Sequence, residues 1–243
     1  MKYYIDLHIH SCLSPCADND MTPNNIVNMA YIKKLDFIAV TDHNTAENAQ
    51  AILKCAEKVG IVAIPGMELE TREEVHVVCL FPDIDSAVKM QELVYRALPD
   101  MKNREEIFGQ QIIMDENDNI TGKLERMLLV AADISLEEAF HAVDELGGVM
   151  IPAHIDRDSY SIISNLGSIP SEIGFTCLEV SNMCNIDNFL EMNPQYSGYR
   201  LIRSSDAHTL GDILEPEVFI DLEKRDRATL IKSLKNNLKS YLK

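Results

Sequence analysis

Histidines and carboxylates recur in this 243-residue chain in a pattern suited to holding metal ions. His8 and His10 stand two apart in Ile5-Asp6-Leu7-His8-Ile9-His10. Alternate side chains of a strand share a face, so both can approach one ion. The same spacing returns in Asp206-Ala207-His208, and between the two pairs come Thr41-Asp42-His43, Gly66-Met67-Glu68, His76 and Pro152-Ala153-His154. Six of the seven histidines fall at the start or end of an apolar run near carboxylates, and only His141 sits mid-helix. Scatter would not readily produce this.

Imidazoles and carboxylates without paired thiolates suit zinc, manganese or iron better than a calcium cage or an iron–sulfur cluster. There are too many candidates for one ion, so two or three divalent metal ions are expected, with Glu68 as the natural bridge. Clustered cations acidify a shared water, neutralise phosphoryl oxygens and stabilise a leaving oxygen. Phosphoester hydrolysis is the reaction class this equipment suits best, with Glu68, Asp206 and His208 as the expected catalytic residues.

Such a cluster needs elements that bring distant residues to one place. Apolar runs at 3–7, 37–40, 61–64, 75–81, 149–151, 177–180, 201–202 and 218–220 read as strands. Helical patterns occupy 24–34, 46–59, 84–97, 135–146 and 226–242. Thr22-Pro23 sets a capping hydroxyl before a first-turn proline, Ser135 and Glu138 form a capping-box pair, and Gly147-Gly148 stop the fourth helix. Strand and helix in alternation imply a mostly parallel α/β sheet, open or closed into a barrel. The barrel is favoured because His8, His43, Glu68, His154 and Asp206 each lie at or just past the end of an apolar run. In a closed barrel those ends converge on one face. His76 opens a strand instead of closing one, which is consistent if 61–70 and 75–81 form a hairpin turning near Thr71 to Glu74. Glu68 and His76 then lie across from each other, close enough to share an ion.

The stretch 100–134 breaks the rhythm. It contains Asp115-Glu116-Asn117-Asp118-Asn119, a turn or exposed loop, and reads as an insertion that either covers the site as a lid or is a surface excursion. The whole of 1–243 is expected to form a single barrel domain carrying that insertion.

Acidic residues outnumber basic ones, 39 to 22, for a formal charge of -17. Such a surface repels long nucleic acid unless metals or a local basic patch reverse the field, so a small phosphorylated substrate is the partner expected first. The six cysteines include no C-x-x-C pair, and no apolar stretch approaches the length of a membrane span. A reduced, cytoplasmic protein without a membrane partner is expected; the sequence does not indicate its oligomeric state.

Taken together, Asp6-Leu7-His8-Ile9-His10, Thr41-Asp42-His43, Gly66-Met67-Glu68, Pro152-Ala153-His154 and Ser205-Asp206-Ala207-His208 resemble the motifs of the PHP family, the polymerase and histidinol phosphatase domain. The resemblance implies a distorted (β/α)7 TIM-like barrel and a trinuclear site. By analogy, one ion would take His8, His10, Glu68 and Asp206, a second Asp18, His43 and His208, and a third Glu68, His76 and His154. Asp18 follows from counting back from Thr22-Pro23, with Asp20 as the other choice, since Ser14-Pro15-Cys16-Ala17 lengthens the usual approach. Arg157, three residues after His154, is the expected phosphate-binding residue, with Arg203 a lesser candidate.

The activity implied is a metal-dependent phosphoric ester hydrolase acting on a small ester, for instance a nucleotide. A 5′-3′ exonuclease on short oligonucleotides is the first alternative, and a non-catalytic metal-stabilised binding scaffold the second. Amidohydrolase-like C–N cleavage follows as a more distant one.

Overall fold

A computed structural model describes residues 1–236. In chain order its main elements are β1 (Lys2–Ile9), α1 (Pro23–Ile32), β2 (Phe37–Val40), α2 (Ala49–Val59), β3 (Val62–Glu70), β4 (His76–Leu80), α3 (Ile84–Ala97), α4 (Glu105–Phe108), β5 (Ile112–Met114) and β6 (Ile120–Lys123). They continue with α5 (Leu136–Glu145), β7 (Val149–Pro152), α6 (Ile162–Leu166), β8 (Cys177–Val180), α7 (Ile186–Met192), β9 (Arg200–Arg203), β10 (Phe219–Asp221) and α8 (Arg227–Lys235). The helix expected over 226–242 is α8 as far as Lys235, and residues 237–242 of that expectation lie outside the described residues.

Local chemistry sets the helix starts. Thr22 caps α1 by accepting from the Asn25 amide with Pro23 in the first turn, and Ser135 and Glu138 complete both halves of a capping box on α5. These side chains satisfy amide donors that a helix start leaves open.

Six strands form one curled sheet in the order β10-β1-β2-β3-β4-β7. β1, β2 and β3 run parallel, whereas β4 runs antiparallel to both β3 and β7. The parallel pair β8–β9 carries the wall onward: the Ile155 amide after β7 bonds the Glu179 carbonyl in β8, and Ala207 after β9 bridges in parallel to Ile9. The result is a distorted α/β barrel. Tyr3, Leu7, Phe37, Ile64, Val78, Ile151 and Ile202 fill its interior, while Ile9, Ile38, Val40 and Ala63 pack outward with α1 and α2.

One irregularity matters for function. Asp6 pairs with Ile38 but Ile9 with Val40, so β1 contains one residue more than its partner. A bulge of this kind re-aims side chains. Asp6 and Ile9 therefore fall on one side, and His8 and His10 both turn to the other, at the mouth of the barrel.

The stretch 100–134 holds more structure than the sequence suggested. β5 and β6 form an antiparallel hairpin, and Asp115 to Asn119 is its turn. The hairpin lies on the outer helices: Asp118 accepts from Thr22 Oγ1 at 2.7 Å and from the Asn24 amide at 3.0 Å, and Lys54 pairs with Glu116 at 3.1 Å. Among the described residues, no helix is long and apolar enough to cross a membrane.

Candidate metal centre

Glu68 is the hub of the site. Its backbone amide bonds the Asp42 carbonyl and its carbonyl accepts from Asn44, so the ends of β2 and β3 hold His43 and Glu68 side by side. In the β3–β4 hairpin His76 pairs directly with Glu70, and Glu68 with Val78. Glu68 and His76 are thus diagonal neighbours on one face, not directly opposed as the sequence reading placed them. The reach is still short: His76 Nδ1 is 3.0 Å from Glu68 Oε1.

Around that carboxylate the imidazoles converge. His8 Nε2 lies 3.4 Å and His154 Nε2 3.3 Å from Oε1; His10 Nε2 lies 3.3 Å and His43 Nδ1 3.0 Å from Oε2. Asp206 Oδ1 adds contacts of 3.4 Å to His8 Nε2 and 3.1 Å to His10 Nε2. His208 stacks on His10 with centroids 4.3 Å apart, and its Nδ1–H donates to the Asp206 carbonyl, which leaves the Nε2 lone pair free.

Among the described residues, three groups of donor atoms are tight enough to hold an ion: His8, His10, Glu68 and Asp206; His10, His43 and His208; and His43, Glu68 and His76. The first is the set implied by the family resemblance. The second has His10 where Asp18 was expected. Asp18 is tied to the site through its backbone, donating to the His208 carbonyl at 2.9 Å, but its side chain is exposed and outside all three groups. In the third, His43 joins Glu68 and His76, with His154 held against Glu68 alongside.

The donor set fits divalent metal. Bonds of about 2.0–2.1 Å in a tetrahedron put neighbouring ligand atoms about 3.3 Å apart, close to the spacings found here. Glu68 Oε2 and His154 Nδ1 are buried with no hydrogen bond, the former even though His43 Nδ1 is only 3.0 Å away. An unsatisfied buried acceptor is costly unless a cation completes it.

The electrostatics agree. Burial opposes ionisation of Glu68, yet His76, His8 and His43 hold its carboxyl well below the usual range. Asp206 behaves alike, with burial overcome by His8 and His10. Burial also opposes charge on His8 and His76, but Glu179, Glu68 and Asp206 lift the first well above its usual value, and Glu68 raises the second to about 10. In effect, protons gather where cations would otherwise sit.

A cavity of about 290 Å³ opens over these groups, with Cys16, Leu129, Arg157 and Tyr160 also in its wall. Leu129 is the contribution of the stretch 100–134 to that wall. Arg157 Nη1 donates to Asp206 Oδ2, placing its guanidinium at the cavity's edge. Arg157 and Asp206 also border an adjoining groove of about 610 Å³, which Arg203 lines. His154 and Asp206 have positive φ, 30° and 52°, a backbone conformation costly for side chains other than glycine.

Sequence reasoning missed the residues behind the candidate ligands. Glu179, in mid-β8, is buried, accepts from His8 Nδ1 at 2.9 Å and from the His154 amide at 3.2 Å, and so orients both. Its signal was available: a carboxylate inside the short buried strand Cys177–Val180 is unusual enough to need a partner. Asp42 and Ser14 stand similarly behind His10.

A family model described as PHP domain matches residues 6–153, more than half of the chain. A 5'-3' exoribonuclease of Haemophilus influenzae is 35% identical over 78 residues, covering 31% of this chain and 27% of the relative. Among solved structures, the lesion-specific endonuclease Q of Pyrococcus furiosus superposes with a TM-score of 0.70 at 19% identity, over 97% of this chain and 56% of that one. An amidohydrolase of Chromobacterium violaceum, with bound sulfate and no metal, has a TM-score of 0.62 at 19% identity over 96% of both chains. The chain thus spans 27% of the exoribonuclease and 56% of the endonuclease.

Proposed function

Since the chain belongs to the PHP domain family, we propose that it is a metal-dependent phosphoesterase hydrolysing a small phosphate ester, for instance a nucleotide, at the cluster centred on Glu68. The observation that carries this is one buried carboxylate with imidazole nitrogens of His8, His10, His43, His76 and His154 within 3.0–3.4 Å of its oxygens.

His8, His10, His43, Glu68, His76, His154, Asp206 and His208 would hold two or three divalent ions, zinc, manganese or iron by donor chemistry. When bound, such ions supply a water acidified toward neutral pH and positive charge against phosphoryl oxygens. Glu68 and Asp206 contribute fixed negative charge that balances the cations, and Glu68 spans two donor groups. His208 offers Nε2 at the exposed edge of the cluster. Arg157, 42% exposed in its side chain, is placed to exchange its Asp206 contact for a phosphoryl oxygen and to orient the ester. Glu179 holds the His8 ring so that Nε2 faces Glu68 and Asp206.

Release of inorganic phosphate from a panel of phosphomonoesters, with manganese or zinc supplied, tests the reading. Activity lost in Glu68→Gln together with bound metal supports it. A metal-loaded protein inert toward both mono- and diesters overturns it.

A second reading is stepwise 5′-3′ hydrolysis of short oligonucleotides. It is supported by the similarity to the H. influenzae exoribonuclease and by the groove that adjoins the cavity. The formal charge of -17 weighs against long polyanions. Shortening of a 5′-phosphorylated oligonucleotide, followed by length, separates the two readings.

A further inference from the structure

We propose that Ser14, driven by Asp42, is a positioning residue that fixes the tautomer of His10 and so makes its Nε2 a metal ligand. The inference rests on the cluster being a metal centre, and proton accounting carries it. Asp42 is buried and accepts from the Ser11 amide, the Ser11 hydroxyl and the Ser14 hydroxyl, each at 2.7 Å. It has donors on both oxygens and stands as a pure acceptor. A serine hydroxyl has one proton, and here that proton is committed to Asp42.

Toward its other neighbours Ser14 Oγ can therefore only accept. One is the His43 backbone amide at 3.2 Å; the other is His10 Nδ1 at 2.9 Å. His10 must carry its proton on Nδ1. The opposite tautomer would leave Ser14 donating to His10, with its oxygen facing an Asp42 oxygen at 2.7 Å and no proton between them. With Nδ1 protonated, neutral His10 has its only lone pair on Nε2, the atom that faces Glu68 Oε2 at 3.3 Å and Asp206 Oδ1 at 3.1 Å.

The same hydroxyl thus ties the ring of His10 to the backbone of His43, two members of one donor group. His8 has a direct carboxylate partner in Glu179; His10 has a relayed one. Ser14 Oγ uses both lone pairs and its proton, so no spare rotamer can satisfy the set.

The test uses the whole 243-residue chain loaded with zinc, which is diamagnetic. Histidine side-chain ¹H–¹⁵N NMR reads the tautomer, and competition with a chromophoric chelator reads zinc affinity. In the wild type, His10 is expected to show a slowly exchanging Nδ1 proton with zinc at Nε2. In Asp42→Ala the serine proton loses its acceptor and is free to turn toward His10, and in Ser14→Ala the acceptor for the His10 proton is gone. Each is expected to lose the protected Nδ1 proton and to weaken zinc binding by about 10–100-fold, with circular dichroism unchanged. Should Ser14→Ala fail to fold, Asp42→Ala carries the test alone. A wild-type His10 with bare Nδ1, or folded variants that hold zinc as tightly as the wild type, would overturn the proposal. A wild type that binds no zinc, manganese or iron would overturn the metal-centre reading beneath it.

Discussion

Glu179 Oε1 lies 2.9 Å from His8 Nδ1 and 3.2 Å from the His154 amide, so one buried carboxylate sets the direction of two residues that both face Glu68. Replacing it with glutamine keeps the shape but offers the amide group as a competing donor. Glu179→Gln is expected to weaken metal binding by about 10–100-fold while the fold survives, as read by chelator competition beside circular dichroism. Unchanged affinity would remove Glu179 from the site.

Glu68→Gln should have a larger effect. Two of the three donor groups contain Glu68, so elemental analysis of the purified variant is expected to show most of the bound metal gone, and phosphate release with it. A variant that retains its full metal content would show that the imidazoles suffice.

The metal-free protein should have a distinctive pH profile. Burial disfavours charge on His76, but Glu68 raises its pKa to about 10. A group raised on folding stabilises fully below its unfolded value, about 6.5, and that contribution fades as pH rises toward its folded value. Glu68 and Asp206 are depressed, so their contribution is present above roughly pH 4 and is lost in acid as they protonate. Urea midpoints of the metal-free protein are expected to peak between about pH 5 and 6.5 and to fall on either side. A profile level from neutrality to pH 10 would contradict this.

Arg157→Ala is expected to raise KM for a phosphomonoester by about tenfold or more while leaving metal content intact, because a charge-assisted hydrogen bond to phosphate is worth about 1.5–3 kcal/mol. Steady-state kinetics and elemental analysis on the same preparation check it. Loss of metal in this variant would instead make the Asp206 contact the residue's main role.

Asp18 and His208 should separate cleanly. His208→Ala is expected to lower the number of ions bound, and Asp18→Ala to leave it unchanged, since only the first side chain belongs to a donor group. Isothermal titration with zinc counts both.

Much of this site was legible because its donors stand at strand ends, where sequence pattern and position coincide. His8, His43, Glu68 and Asp206 each end an apolar run, and barrel geometry does the rest. The β3–β4 hairpin was readable from His76 alone, since a donor that opens a strand needs a reversed partner. Its register was not readable, because nothing local distinguishes Glu68 from Glu70 as the directly paired residue. Asp18 was chosen by counting along a loop, and loop length does not determine where a side chain points. Glu179 and Ser14 were hidden for another reason: their partners lie 171 residues away in one case and behind a reused hydroxyl in the other. The β5–β6 hairpin escaped notice because its strands are only three and four residues long and lean chiefly on α1 and α2.

His154 and Asp206 keep bulky, polar side chains where the chain's own torsions favour glycine. Asp206 recovers part of that cost through the imidazoles of His8 and His10, which hold its carboxyl ionised, whereas His154 keeps a buried Nδ1 without a hydrogen bond. Laboratory lineages enriched only for heat resistance should therefore surrender His154 before Asp206, and the order of loss would mark where endurance and chemistry compete for the same few atoms.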